Sequence, residues 1–554
     1  MSSSDASQFK DGRSLVAEFD VRPSGTVFRN LGVDSLYQAA VQNGWGKILA
    51  NGALLQDTTP FFGRAAKSAF WVNDPNAKFN GKTVEELIAW GNPAEGEWDN
   101  LPVSVATYQK LRARVAAHLS DAGELFVNDG ISGRTDRTRK SIRVITDSPV
   151  GALFARNIFL RANADQLENF SPDWTILQAG SVEADEEDGT NGKAFVITDL
   201  AGKLTIIGGT KYNGQIKKAV FAVQNFFLPL AGILTMHAGA SEGNTGLSAI
   251  HAGLSGTGKT TLSNTGHPVA DDQIVVDIHS VDIETVISNM EGGQYAKTEK
   301  LDPAKEPETF DAIKFGTTAE NIWHDENMVV DYDNGSITPN GRVGYPLDFV
   351  PTAKDSGCAK APANITFLTA DGFGVLPPVA RLTVEGGKFH FAAGFTSKMP
   401  GTEKGVTEPK PTFSSFFGKP FMPLKPVFYM DLLADLMATH GTEVWLVNTG
   451  WLGPNKPGRG RVDIMVSKAI INAVRDNQVD LSESNFWYDP VFKLHVPKTI
   501  PGVDPAILNP KNAWEDKAAY TASCNKLAGI FQEAVAKMPD MPADVVAAGP
   551  APIK

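Results

Sequence analysis

The run Gly253-Leu254-Ser255-Gly256-Thr257-Gly258-Lys259-Thr260 constrains this chain more than any other, because it satisfies the phosphate-binding P-loop at every fixed position. Glycines in such a loop let successive backbone N–H groups turn inward around a triphosphate. Lys259 then reaches the β- and γ-phosphates as a point charge, and the Thr260 hydroxyl is placed to ligate a divalent metal. A P-loop joins a buried strand to a helix, and both flanks comply. Leu247-Ser248-Ala249-Ile250-His251-Ala252 reads as a short buried strand, and Thr261-Leu262-Ser263 opens a helix whose N-terminus faces the phosphates. The chain is therefore read as binding a nucleoside triphosphate through Gly256, Thr257, Gly258, Lys259, Thr260 and Thr261.

The rest of the chain places that loop in an α/β protein. At 554 residues there is room for two to four domains. Strands are expected at 124–127, 141–145, 174–177 and 194–197, with helices near 84–90, 103–119 and 153–160. Beyond the P-loop, strands are expected at 365–368 and 443–447, with helices at 427–440 and 518–537. The domain join is placed near Pro229, giving an N-terminal mixed α/β domain over 1–228 and a C-terminal P-loop mononucleotide-binding domain over 229–540. Residues 541–554, rich in Pro, Ala and Gly, are expected to form a flexible tail.

A net charge of -12 argues against nucleic acid as a partner. The one dense acidic run, Glu183-Ala184-Asp185-Glu186-Glu187-Asp188, reads as a solvated loop. Two cysteines, Cys358 and Cys524, make no disulfide framework and suit a reducing cytosol, so a cytoplasmic location is expected. The uncharged stretch from Ala219 to Met236 contains Gln224, Asn225, Pro229 and Gly232. It reads as a buried helix followed by a strand, and no membrane span is expected.

A P-loop specifies nucleotide, not reaction. Asp271-Asp272 follow the apolar Pro268-Val269-Ala270 at a distance where an acidic pair can face the phosphates and hold metal opposite Thr260. Around this pair runs a series of ordered motifs. They are Gly208-Gly209-Thr210-Lys211-Tyr212-Asn213-Gly214-Gln215-Ile216-Lys217-Lys218, Thr235-Met236-His237, Glu291-Gly292-Gly293-Gln294-Tyr295-Ala296-Lys297-Thr298, Gly341-Arg342-Val343-Gly344-Tyr345-Pro346 and Asn448-Thr449-Gly450-Trp451. With them, from about Phe126 to Gln532, the chain resembles the ATP-dependent phosphoenolpyruvate carboxykinases.

That resemblance implies a reaction: oxaloacetate and ATP give phosphoenolpyruvate, CO2 and ADP, in gluconeogenesis or in the reverse carboxylation. It also implies roles. Lys218, His237 and Asp272 would ligate a transition metal, usually Mn2+, and Thr260 would hold Mg2+ with ATP. Arg64 and Arg342 would pair with the oxaloacetate carboxylates, since the planar guanidinium engages a carboxylate at two points. Tyr212 would contact the end from which CO2 leaves, and Ser255, Lys259 and Asp271 would lie beside the transferred phosphate. Lys297, Glu320, Arg461, Val462 and Ser467 would contact the nucleotide, and 400–405 would form a lid. No oligomeric state follows.

The chain also departs from that family. Gln273-Ile274-Val275-Val276 follow the acidic pair where the family continues with Glu, His and then Trp. Ala65-Ala66 replace Ser-Pro after Arg64, and Lys211 replaces a Trp before Tyr212. Losing groups that hydrogen-bond to metal ligands commonly reduces metal affinity or activity roughly ten- to a hundredfold. Two other readings therefore stay open at this point: a kinase with a different acceptor on the same scaffold, and a nucleotide-binding protein without catalysis.

Overall fold

Every residue of the strand Ser248–Gly253 is buried, as a strand in the middle of a covered sheet must be. In the computed structural model, which describes residues 12–91, 100–254, 256–259, 262, 265–304, 306–398, 410–454, 461–538 and 540–553, this strand pairs in parallel with Pro362–Thr369. Pro362–Thr369 pairs in parallel with Glu443–Asn448. Antiparallel strands complete an eight-stranded sheet in the order His267–Ala270, Ala238–Glu242, Ser248–Gly253, Pro362–Thr369, Glu443–Asn448, Val379–Arg381, Leu494–Pro497, Phe486–Asp489. The three parallel strands end in register, Gly253 beside Leu368 and Thr369 beside Asn448. The segments leaving their carboxyl ends therefore meet, and such an edge is where α/β sheets bind ligands.

The chain divides into two compact units, 1–224 with 290–351 and 225–289 with 352–554. Residues 290–351 thus belong to the first unit, although they lie within the span given to the nucleotide-binding domain from sequence. The cause is strand pairing. Arg342–Pro346 pairs with both Gly293–Lys297 and Thr318–Glu320, and Thr318–Glu320 pairs with Leu54–Gln56 from the N-terminal part of the chain.

The first unit also holds a nine-stranded mixed sheet that includes Glu124–Ser132, Lys140–Thr146, Trp174–Ala179 and Phe195–Asp199, the four strands expected from sequence, of which the first runs on to Ser132 well beyond its expected end. The helix Val105–Asp121 is capped by Ser104. It packs Tyr108, Leu111, Val115 and Leu119 against Leu125, Val127, Ile145, Leu177 and Ile206. At about 1.5–3 kcal/mol for each buried large aliphatic side chain, that contact anchors the sheet.

Three expectations need amendment. The helix expected at 84–90 spans only Val84–Leu87, closed by a Thr83–Glu86 capping box and ended by extended backbone at Ile88. The acidic run is not wholly solvated, because Asp188 is buried and pairs with Lys110 at 2.7 Å and Arg114 at 2.8 Å. In the expected tail, Ala543–Ala548 forms a helix with Val545 buried, and Ala551 N–H donates to the Val491 carbonyl at 2.8 Å. The uncharged stretch resolves into the helix Gly214–Leu230 and the strand Leu234–Met236, and among the described residues no helix is long and apolar enough to cross a membrane.

Candidate active site

In the second unit the loop after Ser248–Gly253 takes the left-handed backbone that a phosphate cradle needs. Gly256 has φ +83° and Gly258 has φ +91°. Gly253 must be glycine for another reason: a Cβ there would lie 2.5 Å from the Thr257 hydroxyl and 2.8 Å from Leu368. Thr257 Oγ1 donates to the Leu254 carbonyl at 2.7 Å, which closes the turn. Ser255, Thr260 and Thr261 lie outside the described residues, as does the expected lid at 400–405.

Thr449, one residue beyond Glu443–Asn448, braces this loop. Its hydroxyl lies 2.9 Å from the Thr257 carbonyl and 3.1 Å from that of Thr369. Arg461 Nη2 donates to the same hydroxyl at 2.9 Å, and Arg461 Nε donates to the Thr449 carbonyl at 2.9 Å. Burial pulls the Arg461 guanidinium below its ordinary pKa. Val462 N–H donates to the Gly450 carbonyl at 2.7 Å, so Arg461 and Val462 are both fixed beside the P-loop. Ser467 is buried within the helix Ile464–Arg475.

Three of the predicted residues converge on one point. Lys259 Nζ lies 2.6 Å and His237 Nε2 2.8 Å from Asp272 Oδ1, with 3.5 Å between the two nitrogens. His237 Nδ1 is 2.6 Å from the Phe417 carbonyl. A carbonyl can only accept, so Nδ1 carries a proton and Nε2 is the nitrogen that faces Asp272. Lys259 and His237 thus gather around one carboxylate oxygen, and a divalent metal fits the same donors. Among the described residues, no three His, Cys, Asp or Glu side chains form a closed metal cage. Asp271 is half-buried beside this pair, and Gln273 is buried with no acceptor for its Nε2 among the described residues.

In the first unit a second constellation forms around Arg342. Glu320 and Lys297 stand directly opposite Arg342 on its two neighbouring strands, and Tyr295 is two residues from Lys297 on the same face. The Arg342 guanidinium lies over the Tyr295 ring, 5.4 Å from its centroid, and Arg342 Nε donates to Asn340 Oδ1 at 3.1 Å. Asn340 Nδ2 in turn donates to the Phe62 carbonyl at 2.7 Å, which ties the Phe62-Gly63-Arg64 segment to the Arg342 strand. The Tyr212 ring is 6.0 Å from that of Tyr295. Arg64, Tyr212 and Arg342, far apart in sequence, are thus held in one unit by Asn340 and Tyr295.

Glu320, expected at the nucleotide, is 1% exposed, with both oxygens engaged inside this unit. Lys297 is exposed, with Glu299 at 3.9 Å. Lys218 lies on the helix Gly214–Leu230, its ammonium 5.0 Å from the Phe221 ring centroid, and its neighbour Lys217 is buried against Glu291 at 3.0 Å. Of the substitutions noted in the sequence, Ala65 is buried and Lys211 Nζ sits 5.7 Å from the Trp45 ring centroid.

Sequence reasoning assigns no role to Thr449, Asn340, Tyr295 or Phe417. Thr449 had a signal, because it follows a strand-like run in the same α/β region as the P-loop, and ligand-contacting turns gather at the carboxyl ends of such strands. Tyr295 shares a strand face with Lys297, which alternation alone reveals. The Phe417 carbonyl left no trace in the sequence.

A P-loop at the carboxyl edge of a parallel strand triplet, with a lysine, a histidine and an aspartate converging, defines a nucleotide-dependent enzyme of the phosphoryl-transfer kind. Comparison with known proteins narrows this. A family model described as phosphoenolpyruvate carboxykinase matches residues 25–506. Phosphoenolpyruvate carboxykinase (ATP) 1 of Moorella thermoacetica is 41% identical over 95% of this chain and 97% of its own length. Phosphoenolpyruvate carboxykinase (ATP) of Caldanaerobacter subterraneus is 41% identical over 95% and 97%, and that of Brucella anthropi 41% over 93% of each. The chain belongs to the ATP-dependent phosphoenolpyruvate carboxykinase family.

Proposed function

We propose that this protein converts oxaloacetate and ATP to phosphoenolpyruvate, CO2 and ADP. The observation that carries the reading is a P-loop whose lysine meets a His–Asp pair in one unit, in a chain whose other unit holds an arginine–tyrosine cluster suited to a small dicarboxylate. The bond between the departing carboxylate and its neighbouring carbon breaks, and CO2 leaves. The electron pair remains as an enolate, whose oxygen attacks the γ-phosphorus as the bond to ADP breaks.

Each step needs something from the chain. Arg342 and Arg64 pair with the carboxylates, so that the scissile bond is held in one orientation. Tyr212 packs against the end that becomes CO2. Backbone N–H groups of 256–259 cradle the phosphates, and Lys259 leaves Asp272 to neutralise charge that develops on the transferred group. Lys218, His237 and Asp272 would hold a Mn2+ ion, and Thr260 a Mg2+ ion. Bound metal supplies Lewis-acid stabilisation of the enolate and phosphate oxygens. Lys218 must be neutral to be a ligand, which an adjacent cation favours. Arg461, held by Thr449, supports the nucleotide.

The test is a coupled assay of the purified protein with oxaloacetate, ATP, Mg2+ and Mn2+. Phosphoenolpyruvate and ADP should form in equal amounts, and neither should form in Lys259→Ala. ATP hydrolysis without phosphoenolpyruvate would point to another acceptor and reject the reading.

A further inference from the structure

The Glu320 carboxylate does two jobs at once. One oxygen accepts the backbone N–H of Asn213 at 2.9 Å, and the other accepts the Tyr295 hydroxyl. Asn213 follows Tyr212, and its side-chain amide donates to Gln56 Oε1 at 3.0 Å, on the strand neighbouring Glu320. The turn carrying Tyr212 is therefore pinned to the five-stranded sheet through Glu320 and its neighbour Gln56. Tyr295 is the floor beneath Arg342, it faces Tyr212, and it packs edge-on against Phe154 at 5.0 Å. There is no slack beside it, because a Cβ at Gly214 would lie 2.5 Å from the Tyr212 ring and 2.9 Å from the Tyr295 ring.

The electrostatics agree with this arrangement. Burial pushes the Glu320 carboxyl up to about 7, opposed by the Tyr295 and Asn213 hydrogen bonds and by the Arg342 charge. Burial and the same carboxylate push the Tyr295 hydroxyl well above its ordinary range, so it remains a donor. A carboxyl buried this deeply is costly unless its partners are fixed, and fixed partners confer fixed geometry.

We propose that Glu320 and Tyr295 are positioning residues that set the placement of Tyr212 relative to Arg342, and thereby the orientation of oxaloacetate, without touching the nucleotide. This rests on the reaction proposed above. Glu320→Ala would release the Tyr212 turn and the Tyr295 hydroxyl together. Glu320→Gln would keep an acceptor for Asn213 and a partner for Tyr295. Tyr295→Phe would keep the ring under Arg342 and lose only the hydroxyl contact.

The experiment is steady-state kinetics on the full chain, with oxaloacetate and ATP varied separately, alongside thermal melts. Glu320→Ala should raise the KM for oxaloacetate by about tenfold or more while leaving that for ATP within about twofold. Glu320→Gln should return it to within about threefold of wild type, and Tyr295→Phe should fall between the two. An oxaloacetate KM unmoved in Tyr295→Phe, equal shifts for both substrates, or a glutamine variant as impaired as alanine would overturn the proposal. Tyr295→Phe and Glu320→Gln keep it testable if the alanine variant does not fold. A wild-type protein inactive on oxaloacetate would instead sink the proposed reaction.

Discussion

The P-loop and the Arg342 cluster of this protein are built by opposite means. The P-loop is a short contiguous segment whose shape comes largely from backbone: two left-handed glycines, a turn in which the Thr257 N–H donates to the Leu254 carbonyl, and an edge where parallel strands end together. The Arg342 cluster draws on segments near 56, 62, 212, 295, 320 and 342, and its shape comes from side chains locked to one another in the interior. A backbone-built site tolerates change around it. A side-chain-built site fails wherever one member of its network is lost.

The largest effect expected is on the nucleotide side. Lys259→Ala removes the P-loop ammonium that the proposed reaction uses at the transferred phosphate and should lower turnover about a thousandfold or more, measured as phosphoenolpyruvate formed per second. His237→Gln comes next. A glutamine cannot present the ring nitrogen that the Phe417 carbonyl orients, so half-maximal activity should need about ten- to a hundredfold more Mn2+. An unchanged metal titration would take His237 out of the ligand set.

Thr449→Val tests how far bracing matters in a backbone-built loop. It removes the hydroxyl shared by Thr257, Thr369 and Arg461, and the Kd for ATP should rise about fivefold by calorimetry, the worth of one hydrogen bond. A rise near a hundredfold would mean that the loop depends on side chains after all, and the contrast would collapse.

The smallest effect is one of pH on stability. Burial raises the Glu320 carboxyl from its ordinary 4.5 to about 7 in the folded chain, against the lowering effect of the Tyr295 and Asn213 hydrogen bonds and of Arg342. Between those values the folded state binds the extra proton, so the stability contributed at low pH is lost as pH rises through that window. Glu320→Gln should flatten this part of the pH-stability curve in urea melts. A variant with the wild-type slope would place the titration elsewhere.

The same contrast decides what the sequence could reveal. Gly253 to Thr260 announces itself because its chemistry depends on spacing along the chain. The buried strand before it was legible for the same reason. Asp272 was legible as part of an acidic pair downstream of the P-loop and His237 only as a member of an ordered motif, and their meeting with Lys259 needed the fold. The Phe62-Gly63-Arg64 segment is tied to Arg342 through Asn340, which bonds Phe62 across 278 residues, and no local pattern encodes such a link. The return of 290–351 to the first unit is likewise a matter of strand pairing, which periodicity does not specify. Glu320 shows the hazard most clearly. The family resemblance implied a nucleotide contact, while the fold buries it and bonds it to Asn213 and Tyr295. The tail misled for a related reason, because its Pro, Ala and Gly composition conceals the packing of Val545 and Gly549.

The most direct test is the separation of the two substrates in Arg342→Ala. The KM for oxaloacetate and the Kd for ATP should be measured on the same preparation. The account predicts a rise in the former of about ten- to a hundredfold, the worth of a charged two-point contact, with the latter unchanged. A parallel loss of ATP affinity would contradict it and place Arg342 at the nucleotide.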